Sequence, residues 1–205
     1  MIHSLPLSPA LLLLLLLFAL LIFLVEVRVL TYAYRKVGVH PRYAFAVMLL
    51  SLVGSRVDIP LFAIAPTGAA RVSGPTIVAL NVGGALIPIL VSVYLLARTR
   101  MYSRMLIATG AVAAVVYSLA EIVPGVGIAV PMIAPPLVAA GVAVVLAFRR
   151  APPVAYVAGS MGTLIGADLL NLGQVARIGA PVVSIGGAGT FDGVFLTGIL
   201  AGLLA

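Results

Sequence analysis

The sequence predicts an all-α, polytopic transmembrane helix bundle forming one domain over residues 1–205. Three observations lead there. Hydrophobic residues make up 63% of the chain and charged ones 8%, against roughly 25% charged in an ordinary soluble domain. The mean hydropathy is +1.30, so polar surface is too scarce to cover a water-soluble fold. The twelve basic residues fall mostly in short clusters between long apolar stretches.

A membrane helix needs about 20 mainly apolar residues, and on that ruler there are about seven spans: 7–32, 43–66, 76–97, 105–123, 127–148, 153–173 and 183–205. The first is expected to stay as a span rather than leave as a signal peptide. Its start carries no Lys or Arg, and no small-x-small cleavage site follows the apolar run. Arg35, Lys36 and Arg42 lie between spans one and two. Arg98, Arg100 and Arg104 lie between three and four, and Arg149 and Arg150 between five and six. These are alternate loops, so the positive-inside rule puts all three in the cytoplasm, with the N-terminus outside and the C-terminus inside. Tyr32, Tyr34, Tyr43, Tyr94, Tyr102 and Tyr156 flank the same loops as an expected interfacial belt. The expected setting is a multi-pass cell-membrane protein whose first partner is the lipid bilayer.

Composition excludes several chemistries. Cys is absent, which removes disulfides, thiolate metal sites and cysteine nucleophiles. His3 and His40 are too few and too far apart for a histidine-built metal site. Net charge is +7, but no basic face or stacking platform suits nucleic acid. Ser160 has no histidine near it in this topology and reads as a helix serine. The glycine-rich segment 186–189 follows no strand and precedes no Lys, unlike a phosphate loop.

Chemistry therefore falls to five acids. Glu26, two residues before Arg28, reads as an interfacial charge. Asp58, Glu121, Asp168 and Asp192 all fall towards the outward side of their spans. An ionisable group within a span costs at least about 2.5–3.5 kcal/mol, so four together should line a polar cavity or pair with Arg56, Arg71 and Arg177. Asp168 and Asp192 lie at similar depth on consecutive antiparallel spans, and Asn171 shares a helix face with Asp168. Two carboxylates sharing a proton supply one acid and one base. Asp168 and Asp192 are thus the candidate catalytic pair, while Asp58, Asn81, Glu121, Asn171 and Thr190 are the candidate substrate- or ion-binding residues. No cofactor is required. A hard cation such as Ca²⁺ or Mg²⁺, or Na⁺ or a proton, would suit the same oxygens. The reacting partner would be a membrane protein for a hydrolase, or a small ion for a transporter.

Two patterns bear on architecture. Gly162-x3-Gly166, Gly189-x3-Gly193 and Gly198-x3-Gly202 permit close helix approach. ARVSGP at 70–75, continuing to Gly83-Gly84-Ala85, is echoed by ARIGAP at 176–181, continuing to Gly186-Gly187-Ala188. Each copy lies downstream of an acid, Asp58 or Asp168, and Asn81 in the first stands where Asp192 stands in the second. A parallel internal repeat relating 43–97 to 153–205 is expected, an arrangement that transporters use.

The motifs GADLLNL (166–172) and SIGGAGTFDGVFLTG (184–198), with GSRVDIP (54–60) and NVGGA (81–85), resemble an uncharacterised prokaryotic membrane-protein family catalogued as a domain of unknown function. That resemblance covers most of the chain and implies no chemistry. A looser one runs to the presenilin-type aspartyl intramembrane proteases, which carry one catalytic Asp on each of two consecutive helices. It implies Asp168 and Asp192 as a diaspartyl pair. Ala167 stands where that family has Tyr, Gly189-Thr190-Phe191-Asp192 is one residue longer than Gly-x-Gly-Asp, and no Pro-Ala-Leu helix follows.

Overall fold

A computed structural model describes residues 9–65, 75–123, 127–177, 180–187 and 193–205, apart from the side chains of 9–10 and 176–177. The described chain is mostly helical. It contains α1 (Pro9–Val37), α2 (Pro41–Gly54), α3 (Ile87–Thr99), α4 (Tyr102–Leu119), α5 (Ala134–Ala147), α6 (Ala151–Thr163) and α7 (Gly193–Leu204). Four helical stretches are long and apolar enough to cross a membrane: Leu11–Val37, Val82–Thr99, Tyr102–Leu119 and Ala134–Leu169. The last is folded at Phe148, where φ is +36°, into the packed pair α5 and α6.

The all-α expectation misses five strands: β1 (Asp58–Ile64), β2 (Thr76–Asn81), β3 (Glu121–Val123), β4 (Gly127–Ala129) and β5 (Val182–Ile185). β1 pairs antiparallel with β2 and β2 pairs parallel with β5, while β3 and β4 form a separate hairpin. The expected spans 43–66, 76–97, 105–123, 127–148 and 183–205 are therefore each part helix and part strand. β1 carries Pro60, which cannot stay in a helix interior, and β2 and β5 carry the β-branched runs Thr76-Ile77-Val78 and Val182-Val183, which favour a pleated backbone. Hydropathy alone reads both conformations as one apolar run. α2 covers about 21 Å at 1.5 Å per residue, short of a hydrocarbon core of about 30 Å, and β1 continues beyond it.

The helix turns gather at the end opposite the strands. Gly38, at φ +107°, ends α1: its amide and that of Val39 both reach the Tyr34 carbonyl, at 3.1 and 2.8 Å. This left-handed stop is the one glycine favours. His40 then caps α2 by accepting from the Arg42 amide at 3.3 Å, and Pro41 pre-sets the first turn. α3 and α4 are joined at Arg100, which also has positive φ. Lys36 closes the same end by donating to the Leu203 carbonyl of α7 at 2.6 Å.

α6 is the centre of the bundle. Ten of its thirteen residues are buried, and it packs on α1, α3, α4, α5 and α7. Between membrane helices, association relies on close packing of small residues. At Gly162 an added Cβ would lie 2.6 Å from Val112 Cβ, and at Gly166 it would lie 2.5 Å from the Ala113 carbonyl. The expected Gly162-x3-Gly166 stripe is thus the seat of α4. Gly198 and Gly202 take Ser160 and Val37 in the same way. Gly193 meets nothing within 4 Å, and Gly189 lies outside the described residues.

The expected tyrosine belt is four residues, not six. Tyr32, Tyr43, Tyr94 and Tyr102 are exposed, whereas Tyr34 and Tyr156 are fully buried with ring centroids 6.2 Å apart. By contrast residues 11–25 of α1 are exposed on every side, as befits an apolar helix that meets lipid. The stretches 43–97 and 153–205 share a helix–strand–helix order, and their strands β2 and β5 lie side by side; among the described residues β1 has no strand counterpart in the second.

Gly162→Ala and Gly166→Ala are each expected to lower stability by about 1–3 kcal/mol through overpacking. Gly110→Ala and Gly141→Ala, whose added Cβ meets nothing within 4 Å, should be neutral or slightly stabilising. Thermal denaturation in detergent compares the two sets, and equal behaviour would contradict this packing.

Candidate functional site

The site begins where β2 ends. Asn81 is buried and its backbone is extended, with φ −73° and ψ 130°. Its Oδ1 accepts from the Gly84 amide at 2.8 Å, capping the helix that follows. Its Nδ2 donates to the Ser55 carbonyl at 2.8 Å and to Asp58 Oδ1 at 3.0 Å. One amide therefore ties the end of α2, the start of β1 and the start of the α3 segment. Ser51 adds a second tie by donating to the Gly83 carbonyl at 2.8 Å. Gly83 and Gly187 let these segments close: a Cβ on Gly83 would overlap the Ser51 carbonyl, and one on Gly187 would lie 2.7 Å from Asn81 Cγ.

Asp58 also accepts from the Ser184 hydroxyl of β5. Two residues further along, the Gly186 amide donates to Asp168 Oδ2 at 2.7 Å. Two carboxylates, one after α2 and one after α6, are thus anchored on the same end of β5. The sequence placed these two acids in corresponding positions of an expected repeat, and the strand pairing gives them a shared anchor.

Asp168 sits in a π-helical turn, Leu164–Leu169, and a second π-helical turn, Val82–Leu86, directly follows Asn81. The Leu170 amide reaches back five residues to the Ile165 carbonyl at 2.9 Å, and the Ile87 amide reaches the Val82 carbonyl. Such wide turns are rare, far below 1% of residues, and concentrate at functional sites because they free carbonyls and re-aim side chains. Asn171 serves the first of them. Its Nδ2 donates to the Gly166 and Ala167 carbonyls at 3.1 and 2.9 Å, and its Oδ1 accepts from Gln174 at 3.2 Å. Asn171 therefore positions the turn that carries Asp168.

The other expected residues divide. Glu121 is exposed on the separate β3–β4 hairpin, opposite Ala129. Asp192 and Thr190 lie outside the described residues, so the Asp168–Asp192 pair does too. Among the described residues no three His, Asp or Glu side chains gather as a metal-ligand set. Asp58 is held by an amide and a hydroxyl rather than by Arg56.

Sequence reading missed Ser184, Ser51 and the position of Glu26. α1 runs on to Val37, so Glu26 lies ten residues before Lys36, about 15 Å along the helix. That is mid-helix, where an interfacial charge was expected. Glu26 borders a cleft of about 170 Å³ whose other walls include Ser51, Ser55, Gly83, Gly84 and Phe195. The available signal was the length of the apolar run: an acid in its middle is a functional candidate by default.

A family model described as "Protein of unknown function (DUF1614)" matches residues 20–204. The chain belongs to this family. No curated protein and no solved structure matches it. The DUF1614 match takes in α2 through α7, hence both the 43–97 stretch and nearly all of 153–205, with both anchored carboxylates.

Asn81→Ala removes three hydrogen bonds at a buried position and leaves the Ser55 carbonyl and the Gly84 amide to be satisfied elsewhere. At about 1–3 kcal/mol for each buried group left unpaired, a loss of about 2–5 kcal/mol is expected in thermal or denaturant unfolding. A loss below about 0.5 kcal/mol would refute the role given to Asn81.

Proposed function

We propose that this chain is a multi-pass cell-membrane protein that binds a small cation or a proton between its two helix–strand–helix stretches, 43–97 and 153–205, as an ion-coupled transporter does. The observation that carries the reading is the anchoring of Asp58 and Asp168, one from each stretch, on the end of β5. Transporters place ion sites where discontinuous helices meet near the bilayer midplane, usually between structural repeats. The break after α2, the two π-helical turns and the depth of Glu26 support that placement. Two carboxylates and a serine hydroxyl suit a proton or Na⁺ better than Ca²⁺, which takes 6–8 oxygens. With the basic turns cytoplasmic, the β5 end faces outwards, and Glu26 stands beside the cleft leading to Ser55 and Gly83. Glu121, on its own hairpin, is a peripheral candidate.

The test is thermal stability of the purified protein against Na⁺, Ca²⁺, Mg²⁺ and pH. A saturating ligand at about 100 times its Kd adds about 2.7 kcal/mol to stability. One cation, or a pH step, is expected to raise Tm in the wild type and to lose its effect in Asp58→Asn and Asp168→Asn. Indifference to every cation and to pH would sink the reading.

A second reading is favoured by one contact. The Gly186 amide that holds Asp168 begins the glycine-rich segment leading to Asp192 and α7. A hydrolase would use Asp168 and Asp192 as acid and base on a membrane-protein substrate, with Thr190, two residues before Asp192 in sequence, as a binding group. Asp192→Asn should then abolish peptide-bond cleavage while leaving Tm and the cation response intact. An active Asp192→Asn variant would exclude it.

A further inference from the structure

At the end of the bundle away from β5, three turns surround one cavity of about 370 Å³. Lys36 enters from α1, Arg98 from α3, and Arg149 and Arg150 from the turn between α5 and α6, over a floor that includes Leu95 and Met101. Among the described residues no acidic side chain lines it. Lys36 and Arg98 are held in place by neutral acceptors, the carbonyls of Leu203 and Gly38 at 2.6 and 2.8 Å. Those bonds orient the two charges without cancelling them. Arg149 and Arg150 are exposed and have no hydrogen-bonding or ionic partner among the described residues. Four like charges around one cavity repel each other unless an anion enters.

A second feature says which anion. Arg98 also donates to the Tyr94 hydroxyl and stands 5.8 Å from the centre of its ring. Tyr94 in turn lines a groove of about 390 Å³ between α2 and α3. Tyr43, Val47 and Leu50 form one wall of it, and Ile87, Leu90 and Val91 the other. These residues follow helical spacing on both helices, so the groove runs about 10 Å along them. A basic cavity and an apolar groove linked through the Arg98–Tyr94 contact match a phosphate with a hydrocarbon tail. We propose that this end of the bundle is a binding site for an anionic phospholipid, its phosphate among Lys36, Arg98, Arg149 and Arg150 and an acyl chain in the α2–α3 groove. Basic pockets between membrane helices on the cytoplasmic side take such headgroups. The proposal is independent of the ion site at β5.

The test uses the purified full chain in neutral detergent, with native mass spectrometry and Tm as readouts. Phosphatidylglycerol, phosphatidylcholine and inorganic phosphate are each titrated. Phosphatidylglycerol is expected to bind and raise Tm, and phosphatidylcholine to do neither. Arg149→Gln/Arg150→Gln should weaken phosphatidylglycerol binding about thirtyfold. Arg42→Gln/Arg104→Gln, an equal loss of charge outside the cavity, should change it less than about threefold. Ala46→Phe, which fills the groove, should weaken the lipid while leaving any phosphate response unchanged. Equal binding of the two lipids, or equal losses in the two double variants, would overturn the site. A phosphate response as large as that to lipid, with Ala46→Phe without effect on either, would overturn the lipid assignment.

Discussion

A backbone amide or carbonyl that leaves its helix inside a bilayer has no water to bond and must find a partner within the protein. The rest of this structure depends on that constraint. The chain stops α2 at Gly54 and opens the end of α6 into a π-helical turn. The groups released are taken up by strand pairing between β1, β2 and β5, and by the side chains of Asn81, Asn171 and Ser51. Each repair brings a polar residue to the break. The carboxylates of Asp58 and Asp168 are held by the same strand that mends the backbone, so the architecture that tolerates the breaks also builds the candidate site.

Much of this was legible in the sequence. The apolar runs, the basic turns between alternate runs and the Gly162-x3-Gly166 stripe each carry a physical signature that survives folding, and the family match supports the expected membership in a domain-of-unknown-function family. The correspondence between Asp58 and Asp168 was visible as two similar segments, each downstream of an acid. What stayed hidden was conformation within an apolar run. A window of about 20 residues sums hydropathy and cannot see that the chain leaves the helix after Gly54, because the apolar residues of α2 and β1 outweigh the short polar step Ser55-Arg56-Val57-Asp58 between them. Glu26 was misplaced for a related reason: the polar residues after Leu30 hid the continuation of α1 to Val37. Tyr34 and Tyr156 were read as interfacial because their types favour that depth, whereas close packing around α6 buries them against each other.

α6 joins the two chemically distinct ends. Its first turn follows Arg149 and Arg150 at the basic cavity, and its last residues pass into the turn that holds Asp168. Between them it is almost wholly buried and closely seated on α4 through glycine. A helix so confined fixes the separation of the two ends, and motion relating them would have to come from the less enclosed α1 and α2.

The pairing of β2 with β5 is the claim on which the account rests, and the absence of cysteine makes it directly measurable. Ile77 and Val182 are register partners on these strands, and both are exposed. Oxidative crosslinking in membranes of Ile77→Cys/Val182→Cys should give a disulfide in high yield. Ile77→Cys/Val183→Cys, offset by one residue and so facing the opposite side of the sheet, should give little. A reversed pattern, or no crosslink in either, would contradict the parallel register and with it the shared anchoring of Asp58 and Asp168.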